Sequence, residues 1–247
     1  MSNIDFFNSL AQHTNARLHT GRLFSFHVNM YTDIAEDVLT HMPLTAEQSV
    51  LDLGGGTGEI ANLMSRQCRA VTVADAAEAA LDRAKERFAE NKKLSFVWCD
   101  ANAALPFADG QFDAAVCYSV VHYLADHEAF RRLVSELLRV VRPGGRVYVG
   151  DIPLSEKYAQ TMEERKKHPV KNFILNQRYY FKKFMTSRIY KKHQVAVDDI
   201  HALTYTRDRI AQLLSSIPGI TMNFFAQAKR LPFANSREDL LIEKRAL

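Results

Sequence analysis

Between residues 50 and 150 five short apolar runs alternate with stretches of helical periodicity, and few folds can absorb that order. The runs are 50–54 (VLDLG), 70–75 (AVTVAD), 94–99 (LSFVWC), 112–118 (FDAAVCY) and 145–150 (GRVYVG). Each has the length of a strand, and the intervals leave room for crossover helices, which predicts a parallel sheet covered on both faces. The clearest helix precedes the fifth run. Asp126 suits an N-cap, and Phe130, Leu133, Val134, Leu137, Leu138 and Val141 recur at helical spacing on one face. Arg142-Pro143-Gly144-Gly145 then stops it, because proline blocks continuation and glycine permits the turn into the next strand. After residue 205 a helix (Ile210, Leu213, Leu214, Ile217) leads into two apolar runs, 219–227 and 238–243, which read as a terminal antiparallel pair. The expected fold is α/β: one domain with a doubly wound, seven-stranded, mostly parallel, Rossmann-like sheet, its core at about 46–151 and 205–247.

Segments 1–45 and 152–204 fall outside the alternation and are expected to form a helical cap. In the second, Pro169 suits a first helical position, and Val170, Phe173, Ile174, Phe181, Phe184 and Met185 follow helical spacing. Charge is concentrated there. Residues 156–192 hold eleven Lys and Arg against three acids, a net of +8 in a chain of net +4, so the remainder is mildly acidic. Ligands of open parallel sheets bind outside the carboxyl ends of the strands, and residue 152 leaves from such an end.

A chain of 247 residues buries a core without staples, and its three cysteines, Cys68, Cys99 and Cys117, fit no common zinc or disulfide spacing. They read as small apolar residues, and no metal site is expected. No stretch approaches the roughly 20 apolar residues of a membrane span, and the first residues lack the layout of a signal peptide, so a cytoplasmic location without membrane partners is the expectation.

The sharpest motif is Asp52-Leu53-Gly54-Gly55-Gly56-Thr57-Gly58, an acid on the first strand followed by glycines where a helix opens. Such a loop lets backbone approach a ligand and presents free amides. The dinucleotide fingerprint would need Gly or Ala at position 59, where this chain has Glu59. Asp75 closes the second strand, where a carboxylate can accept both hydroxyls of a ribose, and Asp100 closes the third.

These residues together resemble class I S-adenosylmethionine-dependent methyltransferases. Asp52 to Gly58 is similar to the family's first motif, VTVADAAEAAL to its second, and FVWCDANAALPFADGQFDAAV to its third and fourth, and the likeness continues through SVVHYLADHEAFRRLVSELLRVVRPGGRVYVGDIP. It covers about residues 46–151, more loosely 205–245. The resemblance implies S-adenosylmethionine as cofactor, with Gly54, Gly56 and Gly58 beside its methionine part, Asp75 and Ala76 at the ribose, Asp100 and Ala101 at the adenine, and Asp52 and Ser119 completing the pocket. The run Cys117-Tyr118-Ser119-Val120 lacks the Asn/Asp-Pro-Pro-aromatic signature of enzymes that methylate exocyclic base amines.

Methyl transfer needs a nucleophile aligned behind the sulfonium-bound carbon, and a base only when that nucleophile arrives protonated. His122 falls near that place. It either deprotonates a hydroxyl, positions a substrate or packs beneath the cofactor. The other histidines considered, His27, His168 and His193, lie in the two cap segments. Asp151 is a candidate second wall of the pocket, and Arg178, Tyr179 and Lys182 of the basic segment are candidate contacts to a small anionic substrate. Nucleic acid is the less favoured partner, because the acidic remainder offers no extended basic surface. The expected function is O-methylation of a small anionic biosynthetic metabolite; an RNA methyltransferase and a noncatalytic binding subunit are the alternatives.

Overall fold

The computed structural model describes residues 3–13, 29–167, 184, 188, 203–231 and 233–246. Helices α1 (Asn3–His13) and α2 (Met30–His41) precede β1 (Ser49–Leu53), α3 (Glu59–Met64), β2 (Ala70–Asp75), α4 (Glu78–Arg87), β3 (Leu94–Trp98) and β4 (Phe112–Tyr118). A short 3-10 turn (Val121–Tyr123), α5 (His127–Val140), β5 (Val141–Pro153), α6 (Ser155–Lys166), α7 (Arg207–Leu214), β6 (Ile220–Ala226) and β7 (Arg237–Lys244) follow. The seven strands run in the order β3-β2-β1-β4-β5-β7-β6. β1 to β5 are parallel, whereas β7 is antiparallel to both β5 and β6. The order reverses between β1 and β4, and that switch point opens a crevice at the carboxyl ends of the strands.

Alternation along the strands feeds two cores. Leu51, Leu53, Ala115, Cys117, Val147 and Val149 face α5 and α7 on one side of the sheet. Val50, Val71, Val73, Ala114, Val116 and Tyr148 face α2, α3 and α4 on the other. Helix α5 keeps its expected cap, with Asp126 Oδ1 accepting from Ala129 N at 2.6 Å. It ends at Val140, one residue early, because Val141 already pairs with Phe112 at the start of β5. The Arg142–Gly145 run lies within β5 as an irregularity in the pairing, and the strand runs on to Pro153. Ile217 lies beyond the end of α7.

The segment expected as an N-terminal cap divides in two. Met30, Ile34 and Val38 of α2, with Met42, belong to the second core, so α2 is a layer of the sheet's own packing. Helix α1 instead lies across the strand ends. Asn8 Oδ1 accepts from Ala79 N at the start of α4 (3.2 Å), and Phe7 meets the Tyr123 ring edge-on at 5.1 Å. Helix α6 is anchored where the basic segment begins: Lys157 Nζ pairs with Glu238 at 2.9 Å, and Ser155 N donates to Tyr205 O at 2.9 Å. Farther along, Phe184 and Arg188 are helical. Phe184, expected on an apolar stripe, is 56% exposed, with the Arg188 guanidinium 5.3 Å from its ring centroid. Among the described residues no helix is long and apolar enough to cross a membrane.

Candidate active site

The glycine loop is strapped to β2 by its own backbone: Gly54 N and Gly55 N both donate to Ala74 O, at 2.7 and 3.2 Å. Gly54 has φ +73, and a Cβ there would sit 2.1 Å from Val120 Cγ2, so only glycine lets the loop pass the turn after β4. Gly56 has φ +55 and differs in surroundings, since a Cβ there would meet nothing within 4 Å. The loop is open on that side. Its amide donates to Asp75 Oδ2 at 2.8 Å, and Gly58 caps the N-terminus of α3. Glu59, the residue that breaks the dinucleotide fingerprint, is buried and accepts from both Thr57 Oγ1 and Arg87 of α4. It fastens the loop's helix to its neighbour.

Two carboxylates lie under this loop, Asp52 buried and Asp75 half-buried. Asp52 is 2% exposed, and its Oδ2 is the one buried side-chain nitrogen or oxygen without a hydrogen-bond partner among the described residues. Burial, and secondarily the charge of Asp75, pushes its carboxyl up to about 7. Asp75 also titrates above the ordinary range, because burial outweighs the amides of Ala77 and Gly56 that bond its two oxygens. Among the described residues neither acid has an ion-pair partner, and burial therefore favours the protonated form of both carboxyls. Ala76 follows, its carbonyl accepting from the Trp98 indole at 3.0 Å. At the end of β3, Asp100 Oδ1 accepts from Asn102 N and Nδ2 at 2.9 and 3.0 Å, and Ala101 packs against the first core.

On the other side of the switch point, Ser119 follows β4, and Asp151 lies in β5 at the irregularity between Val149 and Ile152 in its pairing with β7. They are the two non-glycine residues with positive φ among those described, +61 and +64. Sparsely populated backbone of this kind costs about 1–3 kcal/mol per residue and persists where surrounding contacts enforce it. Here Ser119 Oγ donates to Asp151 Oδ2 at 2.5 Å, and Asp151 N donates to Asp239 Oδ1 at 2.7 Å. Arg237 Nη1 donates to the carbonyl and to Oδ2 of Asp151, both at 2.9 Å, and faces His122 Nδ1 at 3.4 Å. His122 itself is buried in the 3-10 turn, its ring tilted against Tyr123. Behind this cluster Asp239 accepts from Tyr148 Oη and Gln227 Nε2, and burial pushes its carboxyl up to about 6.

The strand order thus sets Asp100, Asp75, the glycine loop, Ser119 and Asp151 in one row along the carboxyl edge of the sheet. His122 joins Ser119 and Asp151 through Arg237. Arg178, Tyr179 and Lys182, like His27, His168 and His193, lie outside the described residues. Arg237, Asp239 and Gln227 escaped the sequence reading. The signal was present for one of them: Asp239, with Glu238 before it, leads into Leu240-Leu241-Ile242, an unusual start for a strand that is buried.

Residues 51–149 match the family model described as a methyltransferase domain. Over 99 residues the chain is 42% identical to the ubiquinone/menaquinone biosynthesis C-methyltransferase UbiE of Desulfotalea psychrophila, covering 39% of this chain and 38% of that protein. The chain spans about two-fifths to one-half of the length of the curated relatives it matches. In fold it is similar to phosphoethanolamine N-methyltransferase 1 of Haemonchus contortus bound to phosphoethanolamine and S-adenosylhomocysteine, with a TM-score of 0.68, 15% identity, and coverage of 98% of this chain and 48% of that one. It is similar also to the protein complexed with the Haloferax volcanii Trm112 methyltransferase activator, with a TM-score of 0.65, 15% identity and 98% coverage of both chains. Residues 51–149 thus match a methyltransferase domain, and over nearly its whole length the chain shares its fold with methyltransferases of known structure.

Proposed function

We propose that the chain transfers the methyl group of S-adenosylmethionine to a small, anionic biosynthetic metabolite, on oxygen, in the cytoplasm. The observation that carries the cofactor half of this reading is the pair Asp52, buried, and Asp75, half-buried, with no ion-pair partner among the described residues, under an open glycine loop. A dinucleotide would bring a pyrophosphate, an anion, to that floor. S-adenosylmethionine brings a sulfonium and an ammonium, positive charge that would favour the ionised form of these carboxyls. When bound it supplies an electrophilic methyl carbon, and the protein's work is to hold it, aim the acceptor and exclude water.

In this assignment Gly54, Gly56 and Gly58 lie against the methionine part, with Asp52 beneath it. Asp75 and Ala76 take the ribose: each Asp75 oxygen accepts one amide and retains acceptor capacity for a hydroxyl. Asp100 and Ala101 hold the adenine, and Ser119 closes the pocket from β4. Asp151 and His122 border the acceptor. Segment 152–204 and helix α1 contribute the substrate side, with Arg178, Tyr179 and Lys182 drawing in the anion. Oxygen as acceptor and negative charge on the substrate rest on the basic segment and on the absence of the base-methylating signature at 117–120. The UbiE relative carries C-methyltransferase in its name, but the region shared with it spans 99 residues and leaves most of the chain outside the likeness.

Isothermal titration should show binding of S-adenosylmethionine and S-adenosylhomocysteine and none of NAD. Turnover of an anion library, read as released S-adenosylhomocysteine, then identifies the acceptor. Binding of NAD alone would defeat the reading, and cofactor binding without turnover on any substrate would favour a noncatalytic subunit.

A further inference from the structure

Arg237 opens β7 opposite Pro153, at the carboxyl end of β5, and half of its guanidinium is engaged. Nη1 donates both of its hydrogens to Asp151, one to the carbonyl oxygen and one to Oδ2, each at 2.9 Å. Among the described residues Nε and Nη2 have no acceptor. The side chain is 17% exposed, and Asp52 Oδ2 is the one buried side-chain nitrogen or oxygen without a partner among the described residues, so these unbonded donors reach open space. Their geometry is specific. With Nη1 committed, Nε–H and the nearer hydrogen of Nη2 point the same way, side by side, which is the fork that matches two oxygens of a carboxylate or phosphate.

The fork is held in place and keeps its charge available. Asp151 is 2% exposed and bonded in turn to Ser119 and Asp239, and the Phe233 ring lies beneath the guanidinium at 4.9 Å. Donors fixed in this way lose little freedom when a ligand arrives. Glu238, the next residue, is taken up by Arg207 through both oxygens at 2.7 Å and by Lys157 at 2.9 Å, and Asp239 accepts from Tyr148, Gln227 and Asp151 N. The basic segment starts beside the same place: Lys157 Nζ lies 3.5 Å from Arg237 O, and Thr161 Oγ1 of α6 donates to Asn235 O at 2.7 Å.

We infer that Arg237 seats the anionic group of the substrate, its Nε and Nη2 taking two oxygens of a carboxylate or phosphate while Nη1 stays on Asp151. This deepens the reading that the chain methylates a small anionic metabolite, and it rests on that reading. The basic segment attracts the anion over distance, and Arg237 fixes its orientation. Specificity then follows the fork, which accepts a bidentate oxyanion and discriminates against the amide or methyl ester of the same acid.

The test reads the guanidinium directly in the full chain. The Nε–H signal of Arg237 is assigned through its bonds from the backbone, and the parent protein is titrated with acetate and with inorganic phosphate at constant ionic strength, with and without S-adenosylhomocysteine. A saturable shift of that signal is expected; saturation by phosphate points to a phosphate-bearing substrate, and saturation by acetate to a carboxylate. In Arg237→Lys, which keeps the charge and loses the fork, affinity for the same anion, followed through the anion's own resonance, should fall about tenfold or more. No saturable shift with either anion overturns the inference, and that measurement needs no variant to fold. Undiminished affinity in folded Arg237→Lys overturns it as well. Calorimetry with S-adenosylhomocysteine on the same sample separates the two readings: an occupied fork without cofactor binding sinks the methyltransferase reading and leaves the anion seat, and cofactor binding with a silent fork does the reverse.

Discussion

Neighbouring glycines in the loop do different work, and substitution separates them. Gly54→Ala places a methyl group within 2.1 Å of Val120 Cγ2, at a φ of +73, and should lower the melting temperature markedly. Gly56→Ala meets open space, so its cost to folding is only the left-handed backbone, about 1 kcal/mol, while its methyl group intrudes on the cofactor. Calorimetry should find a stable protein with weakened binding. Asp75→Ala should weaken cofactor binding by about 1.5–3 kcal/mol, the range for hydrogen bonds to a charged acceptor, and unchanged affinity would remove Asp75 from the site. Asp52 makes a prediction about pH. Its carboxyl titrates at about 7 against an ordinary 3.8, so the folded state holds a proton that the unfolded chain releases. That proton favours folding at acid pH, and stability declines as pH rises through the window from about 4 to about 7, joined by Asp239, which is pushed up to about 6. In Asp52→Asn the upper part of that decline should flatten, read from urea midpoints at a series of pH values.

Among the elements, α5 shows how much a local pattern can settle. Its apolar positions and N-cap were legible because helical periodicity and an Asp side chain are local signals, whereas the Arg-Pro-Gly-Gly run expected to stop it lies inside β5. Leu137 is fully buried on its core face, so Leu137→Ala should cost about 2–5 kcal/mol in denaturant unfolding, and a loss under about 1 kcal/mol would mean that the helix packs loosely. Helix α2 was not legible as a core element. Its Met30, Ile34 and Val38 are spaced as in any amphipathic helix, and only the sheet face they cover distinguishes a core layer from a cap. The anchoring of α6 and α7 on β7 was hidden as well: Glu238, 2% exposed, is bonded by Arg207 through both oxygens at 2.7 Å and paired with Lys157.

At the scale of the whole molecule, charge is the feature that links sequence to substrate. A segment of net +8 in an otherwise mildly acidic chain should act on an anion partly through long-range attraction. Neutralising Arg178 and Lys182 together should raise KM, leave kcat nearly unchanged and reduce the sensitivity of activity to salt. Tight, steeply salt-dependent RNA binding by the chain would support the RNA reading instead. The sequence by itself determined the order of strands and helices, the parallel sheet with its reversed terminal pair, and the row of loop glycines and strand-end acids. All of these are written in short-range periodicity and in residues at the ends of local elements. Only the tertiary structure decided that Arg237 meets Asp151 and His122, partners 86 and 115 residues away in the chain. That meeting follows from β7 inserting antiparallel between β5 and β6, which carries its first residue to the carboxyl ends of the parallel strands. Hydrophobic spacing defines each strand separately, whereas the place a strand takes in the sheet is settled by which edges and faces remain to be covered once the others have packed.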